Sequence, residues 1–325
     1  MSDNQNNNSF LDSVDQFSHN DINGDYNERK RAMLPSLFIR CICIMLCISV
    51  FGYAVFQLAS SALETEEANE FYEDLRADSF ISAVKPSPSL PEVHPMLTLK
   101  EMLDSNGELK NEIETDLIVS VEDTQRRSSI FRNYLNKTKK YPDMYAWIYV
   151  NFTDIDYPVM KGPYTNYYLD HTIDGVKSSY GSITADSNLS DIYNANMNNV
   201  IYGHCMKNGL MFRSLKTIME SAVKNTTAKA MNIEIYTEDG LYIYKVLSGY
   251  RDDDRFYERT IFANGSDFKD FLDEVVSRNE LRVTNSYNEN SRVVTLITCA
   301  NVTSNDDERY VLHGVLTHFI PANQL

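Results

Sequence analysis

Cysteine is scarce in this chain, and its distribution is uneven. Of the five cysteines, Cys41, Cys43 and Cys47 lie in one apolar stretch near the N-terminus, so only Cys205 and Cys299 remain for the rest of the chain. Two cysteines can form at most one disulfide, which is too few to stabilise a folded region of this length. The composition therefore excludes a disulfide scaffold.

Basic residues are also few relative to acidic ones. Lys and Arg number 30 against 46 Asp and Glu, which gives a formal net charge of −16 at pH 7. Because a phosphate backbone requires a basic face, this balance argues against a nucleic-acid-binding protein. An acidic surface mainly favours solubility, and it indicates no particular partner.

Charged residues are absent from residues 41–63, CICIMLCISVFGYAVFQLASSAL. A helix of about 20 apolar residues crosses the ~30 Å hydrocarbon layer, so this segment predicts a transmembrane signal anchor. Basic residues precede it at 29–31 and 40, and acidic residues follow it within 64–67. Because positive residues stay on the cytoplasmic side, we expect a cytoplasmic N-terminus and an external main body. The alternative is a signal peptide cleaved near the small residues 59–62.

The segments around the apolar stretch differ in composition. Residues 1–40 form the predicted cytoplasmic tail, and the Asn-, Asp- and Ser-rich residues 1–28 predict disorder. Residues 64–96 predict an extracellular stalk, a polar helix followed by the stiff, proline-rich segment 85–95. Residues 97–325 form the predicted globular domain.

The globular domain begins with residues 97–140, whose apolar spacing predicts about two helices. Beyond them, short β patterns separated by turn signals are typical of a β-barrel or a β-sandwich. The predicted strands are 146–150, 156–160, 181–185, 199–204, 231–237, 241–248, 292–299 and 309–319. Asp239-Gly240 predicts a tight hairpin between two of them.

Two helices interrupt these strands. The first is predicted over Met211 to Met219, and the second begins at a Ser266 cap and carries apolar residues on one face. The second helix lies in a connection of roughly forty residues, 250–291. A connection of that length often carries function.

Three residues suited to acyl transfer each lie at the end of a predicted strand. Cys299 follows an apolar run, His204 follows another, and Arg309 begins the last strand. A thiol attacks a carbonyl, an imidazole moves a proton, and a guanidinium stabilises the charge that develops on oxygen. The combination predicts cysteine-based acyl transfer.

The order and spacing of these motifs resemble the sortases, and within them class B, from about residue 97 to the end. The matching segments are Trp147-Ile148, Asp156-Tyr157-Pro158-Val159, Tyr168-Leu169, Gly181-Ser182-Ile183, Tyr202-Gly203-His204, Met206, Met211-Phe212, Leu215, Thr295-Leu296-x-Thr298-Cys299 and Arg309. The resemblance implies a mainly β fold: a closed sortase-type barrel with N-terminal helices and a helix-bearing insertion before the cysteine strand. This sequence departs from the family in having Cys205 where Asn is usual, Ala146 where Gly is common, and Ile297 where a small polar residue often lies.

What the resemblance implies for function is a membrane-anchored cysteine transpeptidase of Gram-positive bacteria, with no cofactor and no metal. Its clients would be surface proteins that carry a C-terminal sorting motif. The acyl group would pass through a Cys299 thioester to an amine of a cell-wall precursor or of a pilin lysine. The catalytic residues would be Cys299, His204 and Arg309. The candidate substrate contacts are Leu169, Ile297 and Thr298.

Other functions use similar residues. A hydrolytic cysteine peptidase would need the same trio, and a cell-wall L,D-transpeptidase is also Cys/His-based, although its histidine and glycine immediately precede the cysteine. A zinc site built from His204, Cys205, Cys299 and His313 would lack paired C-x-x-C spacing. A membrane-anchored adhesin would have no use for the trio.

Strand alternation separates Cys205 from the candidate site. Val200, Tyr202 and His204 share one face of their strand, so Cys205 is expected to point away from His204. A Cys205–Cys299 disulfide is therefore not expected, and Cys205 is interpreted as a structural residue. His313 shares strand parity with Arg309, and we interpret it as a packed strand histidine.

Overall fold

The computed structural model describes residues 8–80, 121–222, 224–298 and 308–325. The chain divides into two compact units, Met1–Glu66 and Glu67–Leu325. Cys299 and the proline-rich segment 85–95 lie outside the described residues, as do residues 97–120 of the predicted helical region.

The first helix, α1, runs from Asn8 to Phe80. Its stretch Phe38–Arg76 is long and apolar enough to cross a membrane, a criterion that a signal sequence would also meet. The sequence predicts disorder over residues 1–28, whereas the structure has residues 8–28 in α1. Once an apolar segment has nucleated a helix, each added residue contributes one backbone hydrogen bond, which favours extension into polar sequence.

Eight strands of the described chain form a closed barrel in the order β1-β2-β3-β4-β7-β8-β6-β5. The strands are β1 (Met144–Val150), β2 (Asp156–Met160), β3 (Ile183–Ala185), β4 (Asn198–Gly203), β5 (Asn232–Thr237), β6 (Gly240–Asp252), β7 (Val293–Thr298) and β8 (Arg309–Pro321). The β2–β3 and β4–β7 pairs are parallel, and the other pairs are antiparallel. The predicted closed barrel is confirmed.

The observed strand bounds differ from the predicted ones mainly in β1, which begins two residues earlier, and in β3, β6 and β8. β3 begins at Ile183 because Gly181 adopts a positive φ of 52° that ends the extended backbone. β6 and β8 are longer than predicted because they pair from Gly240↔Pro321 to Asp252↔Arg309, with irregularities that shift the register. Such bulges break the apolar alternation from which a strand is recognised.

β7 is buried on both of its faces. Val294 and Leu296 belong to the large apolar cluster that fills the barrel. Val293 and Ile297 belong to a second cluster on the other face, together with residues of the helix that connects β6 to β7. This double burial explains why β7 is apolar almost throughout instead of alternating.

Within the described residues, four shorter α-helices surround the barrel: α2 (Val121–Thr138), α3 (Arg213–Glu220), α4 (Lys224–Ala230) and α5 (Gly265–Ser277). α5 lies in the long connection before β7, as predicted. Its N-cap is Asn264, whose side chain accepts from the backbone N–H of Asp267, so the predicted Ser266 cap is wrong. Asn and Ser are comparable caps, and the cap lies two residues earlier than the sequence suggested.

The end of α1 packs on the barrel within the second unit. Ala68, Tyr72 and Leu75 recur at helical spacing and are buried. The ring of Tyr72 meets that of Tyr157 edge-on at 5.2 Å, and Asn133 of α2 donates to the carbonyl of Leu75. Residues 68–75, which the sequence places in an extracellular stalk, are therefore part of the packed domain, because their apolar stripe has a partner surface.

Candidate active site

The candidate site lies where three neighbouring strands, β4, β7 and β8, meet one end of the barrel. Gly203, the last residue of β4, pairs with Thr298, the last residue of β7. On the other side of β7, Ile297 pairs with Val311 of β8, and Arg309 begins that strand. His204 follows β4 directly along the chain, and Cys299 follows β7.

His204 is half-buried and is held by a backbone carbonyl. Its Nε2 atom lies 2.6 Å from the carbonyl oxygen of Leu169. Because a carbonyl can only accept, Nε2 carries a proton, and Nδ1 is the nitrogen that can exchange one. The contact fixes both the tautomer and the orientation of the ring.

The carbonyl of Leu169 is itself positioned by a tight loop between β2 and β3. A short 3₁₀ turn covers Tyr167–Leu169, and the Ser182 N–H donates to the carbonyl of Tyr168 at 2.7 Å. Gly181 packs directly on this turn, since a Cβ at that position would lie 2.1 Å from the Leu169 carbonyl oxygen. Only glycine combines that close approach with the positive φ.

Arg309 stands at the start of β8, opposite Asp252 of β6, and is half-buried. Its Nη1 donates to the carbonyl of Glu308 at 3.4 Å. The Glu308 carboxylate instead lies 3.8 Å from Nη1 of Arg251. The acidic side chain next to Arg309 in sequence therefore pairs with a different arginine, while Asp306 and Asp307 lie outside the described residues.

A turn after β6, Arg255–Glu258, brings two further groups near Arg309. Burial raises the pKa of the Glu258 carboxyl, and the positive charges of Arg255 and Arg309 oppose that rise. Burial also raises the pKa of the Tyr257 hydroxyl to about 12, with the Arg309 charge again acting against it. Neither Tyr257 nor Glu258 belongs to a sequence motif, and the only signal for them is the length of the connection 250–291.

The three predicted substrate contacts occupy different environments. Leu169 is half-buried and contributes its carbonyl to His204. Ile297 and Thr298 are each 1% exposed, and Thr298 Oγ1 accepts from the N–H of Tyr310 at 2.9 Å. Their roles as substrate contacts stay predictions.

Cys205 contacts the side of the fold that carries α3. It is buried, it forms an isolated β-bridge with Met211, and its Sγ lies 3.9 Å from Nη1 of Arg213. His313, a second member of the considered zinc set, is fully buried between Tyr250 and Thr295. Among the described residues, no group of three or more His, Cys, Asp or Glu side chains is arranged to hold a metal ion.

Comparison with known proteins identifies the family. The model of the sortase domain matches residues 148–317, which span all eight strands except the start of β1 and the end of β8. The chain belongs to the sortase family. It is accordingly a cysteine transpeptidase with the sortase fold, as the resemblance implied.

Individual sortases that resemble this chain are of class B. Sortase B of Listeria monocytogenes is 27% identical over 177 residues, which cover 54% of this chain and 70% of that protein. The crystal structure of Clostridium perfringens sortase B is 32% identical with a TM-score of 0.50, covering 56% of this chain and 98% of that one. A Staphylococcus aureus sortase B–substrate complex is 25% identical with a TM-score of 0.50, and the match covers 62% of this chain and 100% of that one. These similarities confirm the class B assignment, and the apolar helix of this sortase is compatible with a membrane anchor.

Proposed function

We propose that this sortase cleaves a C-terminal sorting motif of surface proteins through a thioester on Cys299. It then transfers the acyl group to an amine of a cell-wall precursor or of a pilin lysine. The observation that carries the proposal is the strand register at the end of the barrel.

Both registers around β7 support a single catalytic row. In the parallel β4–β7 pair, Gly203 is opposite Thr298, and these two residues immediately precede His204 and Cys299 in the chain. In the antiparallel β7–β8 pair, Ile297 is opposite Val311, and these two residues lie two positions along the chain from Cys299 and Arg309. Adjacent strands are about 4.8 Å apart, so catalytic groups carried at the ends of these three neighbouring strands support the proposed row.

The proposed chemistry assigns one task to each side chain. The Cys299 thiolate attacks the scissile carbonyl, and Arg309 stabilises the oxyanion with its charged, forked donors. His204 gives the proton on Nδ1 to the leaving amine as the C–N bond breaks, which leaves a thioester on Cys299. The acceptor amine then attacks the thioester, loses a proton to His204 and releases the thiolate.

The proposed topology follows from the charges around the apolar segment. Residues 41–63 would stay in the membrane as an anchor, with residues 1–40 in the cytoplasm and the catalytic domain, residues 97–325, outside the cell. Basic residues at 29–31 and 40 and acidic residues within 64–67 support this orientation. An external catalytic domain would meet both the client proteins and the wall precursor. Residues 64–96 would link anchor and domain, with residues 68–75 packed on the barrel as described above.

The test uses the full-length chain in detergent micelles. A panel of fluorescence-quenched sorting-motif peptides is incubated with and without an amine acceptor, beside the Cys299→Ala variant, and products are analysed by mass spectrometry. Cys299-dependent cleavage that yields an amine-linked product is the expected result. Cleavage to the free acid alone, with the acceptor present, would instead identify a hydrolytic peptidase.

A further inference from the structure

Tyr72 of α1 makes a buried polar contact with the β2–β3 loop, which also carries the Leu169 carbonyl that contacts His204. The Tyr72 hydroxyl donates to the carbonyl of Gly181 at 3.1 Å, with Ser182 Oγ at 3.3 Å. The side chain is 1% exposed, and its ring is fixed edge-on against Tyr157. Because this hydroxyl is buried, any effect that it has on the site is transmitted through Gly181 and Ser182.

Gly181 and Ser182, the residues that Tyr72 contacts, lie against the turn that holds His204. Ser182 donates from its backbone N–H to the Tyr168 carbonyl at 2.7 Å, and from Oγ to the His171 carbonyl at 3.0 Å. Gly181 packs against the carbonyl of Leu169, which holds Nε2 of His204. The strand-flanking residues 181–182 are thus in contact with Tyr72 on one side and with the turn that holds the imidazole on the other.

We propose that Tyr72 is a positioning residue for His204, acting through Gly181, Ser182 and the Leu169 carbonyl. The inference rests on the proposed function, in which His204 transfers the proton. The segment of α1 within the packed domain is then part of the catalytic apparatus, although it lies outside the region that the sortase-domain model matches.

The hydrogen bond from Tyr72 anchors residues 181–182, and removing the hydroxyl removes that anchor. Without the hydroxyl, the Gly181 carbonyl loses its donor, and the contact between Gly181 and the Leu169 carbonyl is free to relax. The imidazole then samples orientations in which Nδ1 no longer faces the reacting atoms. Since Tyr72 is buried and has no surface to offer a substrate, the effect is expected in kcat and not in KM.

The experiment compares Tyr72→Phe, Ser182→Ala and the double variant in full-length protein in detergent, with Tyr244→Phe as the matched control. Tyr244 is equally buried and donates one hydrogen bond of 3.1 Å to Tyr193, on a part of β6 remote from Arg309. We expect Tyr72→Phe to lower kcat about fivefold, the factor that one neutral hydrogen bond is worth, with KM unchanged. In the double variant, kcat should fall by less than the product of the two single-variant factors, because both substitutions act on the same loop. Tyr244→Phe should keep its kcat.

A second measurement follows the imidazole itself. In protein labelled with ¹⁵N-histidine, His204 is assigned by loss of its signals in His204→Gln, and the Nε2–H tautomer is expected in the wild type. Tyr72→Phe should raise the share of the Nδ1–H tautomer, a change that a general loss of stability would not produce.

The outcomes separate this inference from the proposed function. If Cys299→Ala and His204→Ala retain peptide cleavage, the proposed function fails. If both abolish cleavage while Tyr72→Phe leaves kcat and the tautomer unchanged, the positioning role alone is overturned. An equal loss of kcat in Tyr244→Phe would overturn it as well.

Discussion

The carbonyl oxygen of Leu169 lies 2.6 Å from Nε2 of His204, and Gly181 packs against that same carbonyl. The imidazole of this sortase is thus oriented by a backbone carbonyl. Its orientation depends on a loop whose geometry only glycine permits at position 181.

The first prediction concerns Gly181. A Cβ there would lie 2.1 Å from the Leu169 carbonyl oxygen, so Gly181→Ala must displace the turn that holds His204. We expect kcat for the peptide cleaved in the panel to fall about 100-fold, as for other small displacements of catalytic groups. Gly209→Ala is the control, because Gly209 also has a positive φ, 97°, but a Cβ added there would meet nothing within 4 Å. Similar losses in the two variants would mean that backbone strain alone is responsible.

The second prediction concerns Arg309. Arg309→Ala is expected to lower kcat/KM by a factor of about 10² to 10³, the usual effect of removing a donor to an oxyanion. Arg309→Lys should recover little, because an ammonium group keeps the charge but lacks the planar fork. Steady-state peptide cleavage measures both.

Arg251 provides the matched control for Arg309. It lies on the adjacent strand β6 and pairs with the Glu308 carboxylate at 3.8 Å. Arg251→Ala removes one cation from the same end of the barrel without touching the proposed row. Activity should stay close to wild type, and a loss equal to that of Arg309→Ala would assign the effect to the local charge.

Much of the barrel could be predicted from local sequence patterns. β2 has the predicted bounds. The predicted hairpin joins β5 to β6, although its two turn residues are Glu238 and Asp239, and Gly240 already pairs with Thr237 as the first residue of β6. The extended ends of β6 and β8 could not be predicted. They depend on pairing between strands that are distant in sequence, with register shifts that no local pattern reveals.

The side chains of the candidate site were easier to predict than their supports. His204 and Arg309 belong to motifs, and the strand registers bring their positions to one end of the barrel. The Leu169 carbonyl has no sequence signature as a partner of His204, since every residue carries a carbonyl. Tyr72 was missed for a different reason: its apolar spacing with Ala68 and Leu75 is embedded among charged residues that suggested a solvated helix.

The third prediction separates the two cysteines of the globular domain. Cys205 is buried next to Arg213 and Met211, which indicates a structural role. Cys205→Ala should therefore keep most of the peptide-cleavage activity, whereas Cys299→Ala should abolish it. Loss of activity in both variants would indicate a redox or metal role for Cys205.

The fourth prediction concerns the buried ion pairs between α2 and β5. Glu234 is 1% exposed and accepts from Arg126 at 2.8 Å and from Arg127 at 2.8 Å. Burial alone would raise the pKa of its carboxyl, but the two guanidinium groups outweigh burial and hold that pKa below its usual value. Glu234→Gln should lower the free energy of unfolding by about 3–5 kcal/mol at pH 7, because both arginines lose their countercharge. The fluorescence of Trp147, the single tryptophan, reports urea unfolding.

The pH dependence of Glu234 gives this prediction a second test. Because its folded pKa is lowered, the stabilisation is present above the ordinary Glu pKa, near 4.5, and is lost as the pH falls below it. The difference between wild type and Glu234→Gln should therefore shrink in acid. Asp273→Asn removes a solvent-exposed pair with Lys269 and should leave the unfolding midpoint nearly unchanged. A midpoint shift as large as that of Glu234→Gln would contradict the importance of burial.

The fifth prediction concerns His313, the centre of a buried hydrogen-bond chain across the barrel wall. Tyr250 lies 2.8 Å from Nε2 of His313, Thr295 lies 2.9 Å from Nδ1, and Thr295 donates to Asn198 at 2.7 Å. Since the Thr295 proton goes to Asn198, Nδ1 of His313 donates to Thr295 and Nε2 accepts from Tyr250. The chain is complete only with a neutral imidazole.

Burial lowers the pKa of His313 to about 3. An unfolded histidine titrates near 6.5, so between these values the unfolded state binds a proton that the folded state does not. The free energy of unfolding should therefore fall as the pH drops below about 6.5, by up to about 1.4 kcal/mol per pH unit from this residue alone. His313→Gln keeps one donor and one acceptor but cannot titrate, so its stability should depend less steeply on pH between 6.5 and 5. The two proteins are compared by urea unfolding at several pH values in this interval, which lies above the range where Glu234 contributes. Parallel curves for wild type and variant would contradict a neutral, buried His313.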